Sequence, residues 1–125
     1  MDIIKKTFRD LSMWQKSHTF ALNVYKTTEK YPKHEIFGLV SQFRRASVSI
    51  PANIAEGYRR NGKADKLRFF NIAQGSLEEC RYYILLSKDL KYIDENEESC
   101  LSQLIEEASR TLNAYCSKLS EDIGK

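Results

Sequence analysis

Proline and glycine are scarce in this 125-residue chain, with two of the first and five of the second. So few turn formers argue against a loop-rich β architecture, and 42% apolar beside 30% charged residues argue against disorder. Histidine occurs only at positions 18 and 34, and no Glu-x-x-His pair of the kind a di-iron bundle needs is present. Cys80, Cys100 and Cys116 are odd in number, widely spaced and set within helical patterns, which excludes a disulfide framework and a zinc site and leaves them as buried thiols. No segment approaches the roughly 20 apolar residues of a membrane span. The opening MDIIKKTFRDL has no apolar run long enough for a signal peptide, so a cytoplasmic protein with no membrane partner is expected.

What the chain does contain is apolar spacing of three and four almost throughout. The length fits one domain, 1–125, with an all-α fold of four helices at about 12–30, 35–60, 63–90 and 95–119. Ser12 and Gln15 have capping-box spacing, and Met13, Trp14, Phe20, Ala21, Val24, Tyr25 and Thr28 form the expected buried side of the first helix before Pro32 ends it. Ile36, Leu39, Phe43, Ala46, Ile50 and Ile54 make the core stripe of the second. Phe70, Ala73, Leu77, Cys80, Ile84 and Ser87 make that of the third, after the Asn61–Gly62 break. Asp94 and Glu97 form another capping pair, opening a fourth helix with Leu101, Leu104, Ile105, Ala108, Leu112 and Tyr115 inward. Connections this short make consecutive helices antiparallel neighbours, an up-down-up-down four-helix bundle.

The second helix carries more than a core stripe. On a wheel of about 100° per residue, Gln42, Arg45, Ser49, Asn53, Glu56 and Arg60 share one flank, and Arg44, Val48, Pro51, Ala55 and Tyr58 share the other. A free-standing bundle normally leaves such flanks to charged residues; here one is small and apolar and the other is lined with short hydrogen-bonding groups. Both are expected to be covered. Pro51 costs on the order of 3 kcal/mol in a regular helix and clashes with the Ser47 carbonyl, so a bend relieved by Ser47 and Ser49 is expected there.

The run SQFRRASVSIPANIAEGYRR, preceded by FRDLSMWQKS and followed by FFNIAQGSLEEC, resembles the four helix bundle protein family, also called the 23S rRNA-intervening sequence protein family. Phe43 and Cys80 stand where that family more often has leucine or another apolar residue. The resemblance implies a left-handed four-helix bundle, assembly as a ring-shaped homopentamer, a nucleic-acid-binding role and no established enzymatic activity. It makes the flanks of the second helix candidate subunit contacts: Arg45, Val48, Ser49, Pro51, Asn53, Ala55 and Glu56, with Gly75 and Ser76 of the third helix.

Charge distribution supplies the binding candidates. The chain's net charge is +3, but between 44 and 68 seven basic residues face Glu56 and Asp65, giving +5, while Asp94 to Glu107 holds six acids and no Lys or Arg. Arg59, Arg60, Lys63, Lys66 and Arg68, near the turn between the second and third helices, are the expected contacts to RNA or DNA, with Arg44 a further candidate. Phe69 and Phe70 lie beside these cations, but their helical phase favours core packing over base stacking. Two other readings compete: a structural ring whose turn is merely solvated, and an adaptor that recruits a polymerase, a ribosomal component or another nucleic-acid-processing protein. An enzyme built on Arg45, Ser49, Asn53 and Glu56 lacks a placed base, and no cofactor or metal is expected.

Overall fold

In the computed structural model, which describes residues 6–124, the helical patterns condense into four long helices with no strand among the described residues. They are α1 (Ser12–Thr28), α2 (Ser41–Arg59), α3 (Lys63–Asp89) and α4 (Glu95–Ile123). The part of the opening stretch read above for a leader, residues 1–5, lies outside the described residues. The capping box expected at Ser12 and Gln15 forms one turn upstream instead. There Thr7 accepts the Arg9 amide and Asp10 accepts the Thr7 amide, closing a 3-10 turn at Phe8–Asp10. Leu11 is the N-cap of α1 and has no side-chain bond, and Gln15 donates to the Arg9 carbonyl at 2.8 Å.

A continuous helix from position 35 is interrupted: a 3-10 turn at Lys33–Glu35 leads into a single π-helical turn, Ile36–Val40, whose Gly38 has non-helical φ −108° and ψ −114°. Glu35 holds this turn by accepting the Leu39 amide at 3.2 Å and the Tyr92 hydroxyl at 2.8 Å. A Cβ on residue 38 would fall 2.7 Å from Glu35 Oε1, so a larger residue there would push the carboxylate off its bond to the Leu39 amide. The extra residue in the turn shifts the helical phase. Leu39 and Val40 go inward, whereas Ile36, expected in the core stripe, is half exposed and Phe37 is 96% exposed. α2 then continues without interruption through Pro51, with Ser47 Oγ donating to the Arg44 carbonyl at 2.8 Å.

α4 opens on the expected capping box, with Glu97 N bonded to Asp94 Oδ1 at 2.8 Å and Asp94 N to Glu97 Oε1 at 3.0 Å. Each helix packs on its neighbour in sequence, and α4 closes back onto α1. Cross-links between α3 and α4 join Gln74 to Asn113, Arg81 to Glu106 and Lys88 to Glu98, so partner numbers fall on one helix as they rise on the other. Phe20, Phe43, Phe70, Ile50, Ile54, Leu101, Ile105 and Leu112 fill the centre. The α3 stripe from Phe70 to Ser87 is buried as expected. Tyr25 and Tyr115 are not: both sit at the edge, Tyr25 beneath the Arg44 guanidinium and Tyr115 edge-on to Phe70. Trp14, expected as a core anchor, is half-buried, packed edge-on to Phe8 and stacked on His18.

Candidate nucleic-acid interface and subunit surface

The turn after α2 is organised by cations that serve the fold as well as the surface. Lys66 reaches back over Tyr58 and donates to the Tyr58 carbonyl at 2.6 Å and the Gly57 carbonyl at 3.4 Å. It thereby caps the Tyr58 carbonyl and adds a second donor to the Gly57 carbonyl, which already accepts the Arg60 amide, at a helix end where a cation also suits the dipole. Gly57 is required by the same junction. A Cβ there would stand 2.6 Å from Phe70 Cε1 and 3.1 Å from the Lys66 carbonyl, so α3 lies directly against the α2 backbone.

Phe70 goes to the core as expected, but Phe69 is half-buried and engages the cations. The guanidinium carbons of Arg60 and Arg68 lie 4.6 and 4.7 Å from its ring centre. Arg60 also pairs with Glu56 and approaches Asp65 at 3.8 Å, Arg68 bonds Asp65 at 3.0 Å, and Lys63 lies 3.6 Å from Asp122. Arg59 is exposed and has no partner among the described residues. The structure therefore brings Arg59, Arg60, Lys63, Lys66 and Arg68 to one end of the molecule, together with Glu56, Asp65 and Asp122; five cations against three acids leave +2. These ion pairs are exposed, each worth about 0 to 1 kcal/mol, and phosphate oxygens compete with such carboxylates on similar terms.

Arg44 is not part of this group. It lies fifteen residues up α2, roughly 22 Å along the helix. There its Nε donates to Thr28 Oγ1 at 2.9 Å and its Nη2 to the Tyr25 carbonyl at 3.3 Å, tying α2 to the end of α1. The sequence did not signal this role because it depends on contacts across two helices.

Of the candidate subunit contacts, Arg45, Val48 and Glu56 are exposed, Ser49, Asn53 and Ala55 are half-buried, and Pro51 and Ser76 are buried by their own chain. Ser49 Oγ accepts from Ser76 Oγ at 2.8 Å and from Asn53 Nδ2 at 3.0 Å, a polar seam between α2 and α3. At Gly75 a Cβ would meet nothing within 4 Å, so the single chain gives no steric reason for glycine there. Among the described residues no group of three His, Cys, Asp or Glu side chains is placed to hold a metal ion, and no helix is long and apolar enough to cross a membrane. Burial raises the thiol pKa of Cys80 and lifts that of Cys116 to about 11. Cys100, expected to be buried with them, is exposed on α4, where the helix turns that position outward.

The fold and this surface define a small four-helix protein with a basic, arginine-lined turn at one end. The chain belongs to the 23S rRNA-intervening sequence protein family, whose model matches residues 9–114. Among solved structures it is similar to a crystal structure of a protein of unknown function from the S23 ribosomal protein family of Bacteroides thetaiotaomicron. That likeness has a TM-score of 0.77 at 24% identity, covering 84% of this chain and 95% of that one, and it speaks to the fold alone. No curated protein matches the chain.

Proposed function

We propose that this chain is a non-catalytic, cytoplasmic homo-oligomer, a ring of five up-down-up-down left-handed bundles, that binds RNA or DNA through the basic turns of its subunits. The helix order is supported by the cross-links: Lys16 with Glu107 and Lys30 with Glu97 between α1 and α4 run opposite, as do the α3–α4 pairs. The left hand and the number five rest on the family resemblance. The observation that carries the binding reading is the exposed pair Arg59 and Lys63 beside the Arg60, Phe69 and Arg68 stack at one end of the bundle. One copy holds too little net charge to grip a polyanion. Five copies at the same end of a ring add their contacts, and affinity grows with each phosphate neutralised.

A second reading, an adaptor for a nucleic-acid-processing protein, is favoured by the exposed Phe37, which is better suited to a protein surface than to phosphate. The test is a paired charge reversal, Arg59→Glu with Lys63→Glu, measured for RNA and DNA binding and for mass in solution. The binding reading expects assembly to persist and affinity to fall at least about tenfold per phosphate contact pair lost. Unchanged affinity in an intact assembly would overturn it.

A further inference from the structure

Phe37 stands 96% exposed on a turn that is held from beneath by Glu35, Leu39 and Tyr92. Isolated exposed apolar side chains are ordinary, but this one continues into the half-exposed Ile36 and Tyr25 and borders a groove of about 700 Å³. Lys33, Arg44 and Arg45 edge that groove, with Glu29 its single acid. A contiguous apolar surface with a polar rim marks a contact site, and a phenyl ring in a fixed position brings a large apolar area at little entropic cost.

The same end of the molecule carries a second hollow of opposite charge. Between α3 and α4 a cleft of about 300 Å³ is lined by Ile84, Leu85 and Ile105 and edged by Glu98 and Glu106. Its lining cation, Arg81, is engaged by Glu78, Glu106 and Ser109, and Lys88 lies 3.6 Å from Glu98, so with these partners counted three acids stand against two cations and the rim keeps a single negative charge. The two surfaces lie at one end because Tyr92, just after α3, bonds Glu35, and Lys30, just after α1, pairs with Glu97 at the start of α4. They lie on different sides because the helices pack in the cyclic order α1, α2, α3, α4.

We propose that Phe37 of one copy enters the α3–α4 cleft of the next, its basic rim facing that copy's Glu98 and Glu106. This rests on the assembly reading above and specifies its contact. Knob and cleft do not overlap, so each copy offers both and the contact is head-to-tail, the kind that builds a ring when the rotation closes. Their common height is what closure requires: rotation about an axis along the bundle preserves height, whereas a contact between different heights would climb into a filament. Opposite charges on the two rims select this pairing over knob against knob. The groove beside Phe37 also reaches Arg45, one of the candidate subunit contacts of α2.

Two exposed positions test the contact without touching the core: Phe37→Asp on the knob and Leu85→Asp on the cleft, each checked for fold by far-UV circular dichroism and for mass in solution. Loss of a buried aromatic anchor weakens such a contact by at least about thirtyfold. Each variant alone is therefore expected as a monomer at a concentration where the unaltered protein assembles. An equimolar mixture is expected to form a dimer and nothing larger, since Leu85→Asp keeps its knob, Phe37→Asp keeps its cleft, and only that one contact can form. An unaltered protein that is monomeric would sink the assembly reading and this contact with it. An unaltered protein that assembles while either variant assembles equally well, or a mixture that stays monomeric, would overturn this contact and leave the assembly reading standing.

Discussion

Replacing Gly57 and Gly75 separately with alanine should move stability in opposite directions, although both glycines sit inside helices. Helix propensity alone favours alanine by about 1 kcal/mol at each. At Gly57 the new methyl would lie 2.6 and 2.9 Å from ring carbons of Phe70. That ring is fully buried and held edge-on by Tyr115 with centroids 5.5 Å apart, so it cannot swing away freely. Overpacking of this kind costs about 1 to 3 kcal/mol, which outweighs the propensity gain at most of that range. A net loss of about 1 kcal/mol lowers the melting temperature of a domain this size by roughly 3 to 6 °C. Gly75 has open space around its Cβ position, so Gly75→Ala should stabilise the single chain by up to about 1 kcal/mol. Urea titrations followed by circular dichroism, at one protein concentration and with mass measured alongside, separate chain stability from assembly. Stabilisation by Gly57→Ala equal to that by Gly75→Ala would refute the close approach of α3 to α2.

Two further outcomes follow from ionisable groups. The Glu35 carboxyl is held below its ordinary pKa by the Leu39 amide first and the Tyr92 hydroxyl second. A depressed folded-state value contributes stability above the unfolded pKa and loses it as pH falls through the folded one, so the Ile36–Val40 turn should loosen in acid. An NMR titration should place the Glu35 midpoint below that of a free glutamate and move it upward in Tyr92→Phe; an unmoved midpoint would contradict the bond. For the thiols, burial keeps Cys80 and Cys116 protonated and covered, so a thiol reagent at neutral pH should modify Cys100 alone until the protein unfolds. Rapid reaction of two or more would contradict their burial.

The parts of the fold that were legible in the sequence are those set by local rules. The α3 stripe from Phe70 to Ser87 follows helical phase, and Asp94 with Glu97 forms its box because both partners lie within one turn. The break at Gly38 was not legible, since it is fixed by a bond from Glu35 to Tyr92, fifty-seven residues away. Its consequence is that Ile36, which spacing assigns to the core stripe, turns outward beside Phe37, while Leu39 goes inward as spacing assigns. The site divides the same way. Charge clustering located Arg59, Arg60, Lys63 and Arg68 at one turn, but the capping role of Lys66 and the anchoring of Arg44 on Thr28 depend on tertiary contacts.

The account turns on whether copies of this chain pool their basic turns against a polyanion. Titration of labelled RNA and DNA with the assembled protein at about 50 and about 200 mM salt tests that directly. Several phosphate contacts per assembly predict at least about a hundredfold loss of affinity across that interval. Binding that ignores salt, or no binding at either concentration, would contradict it.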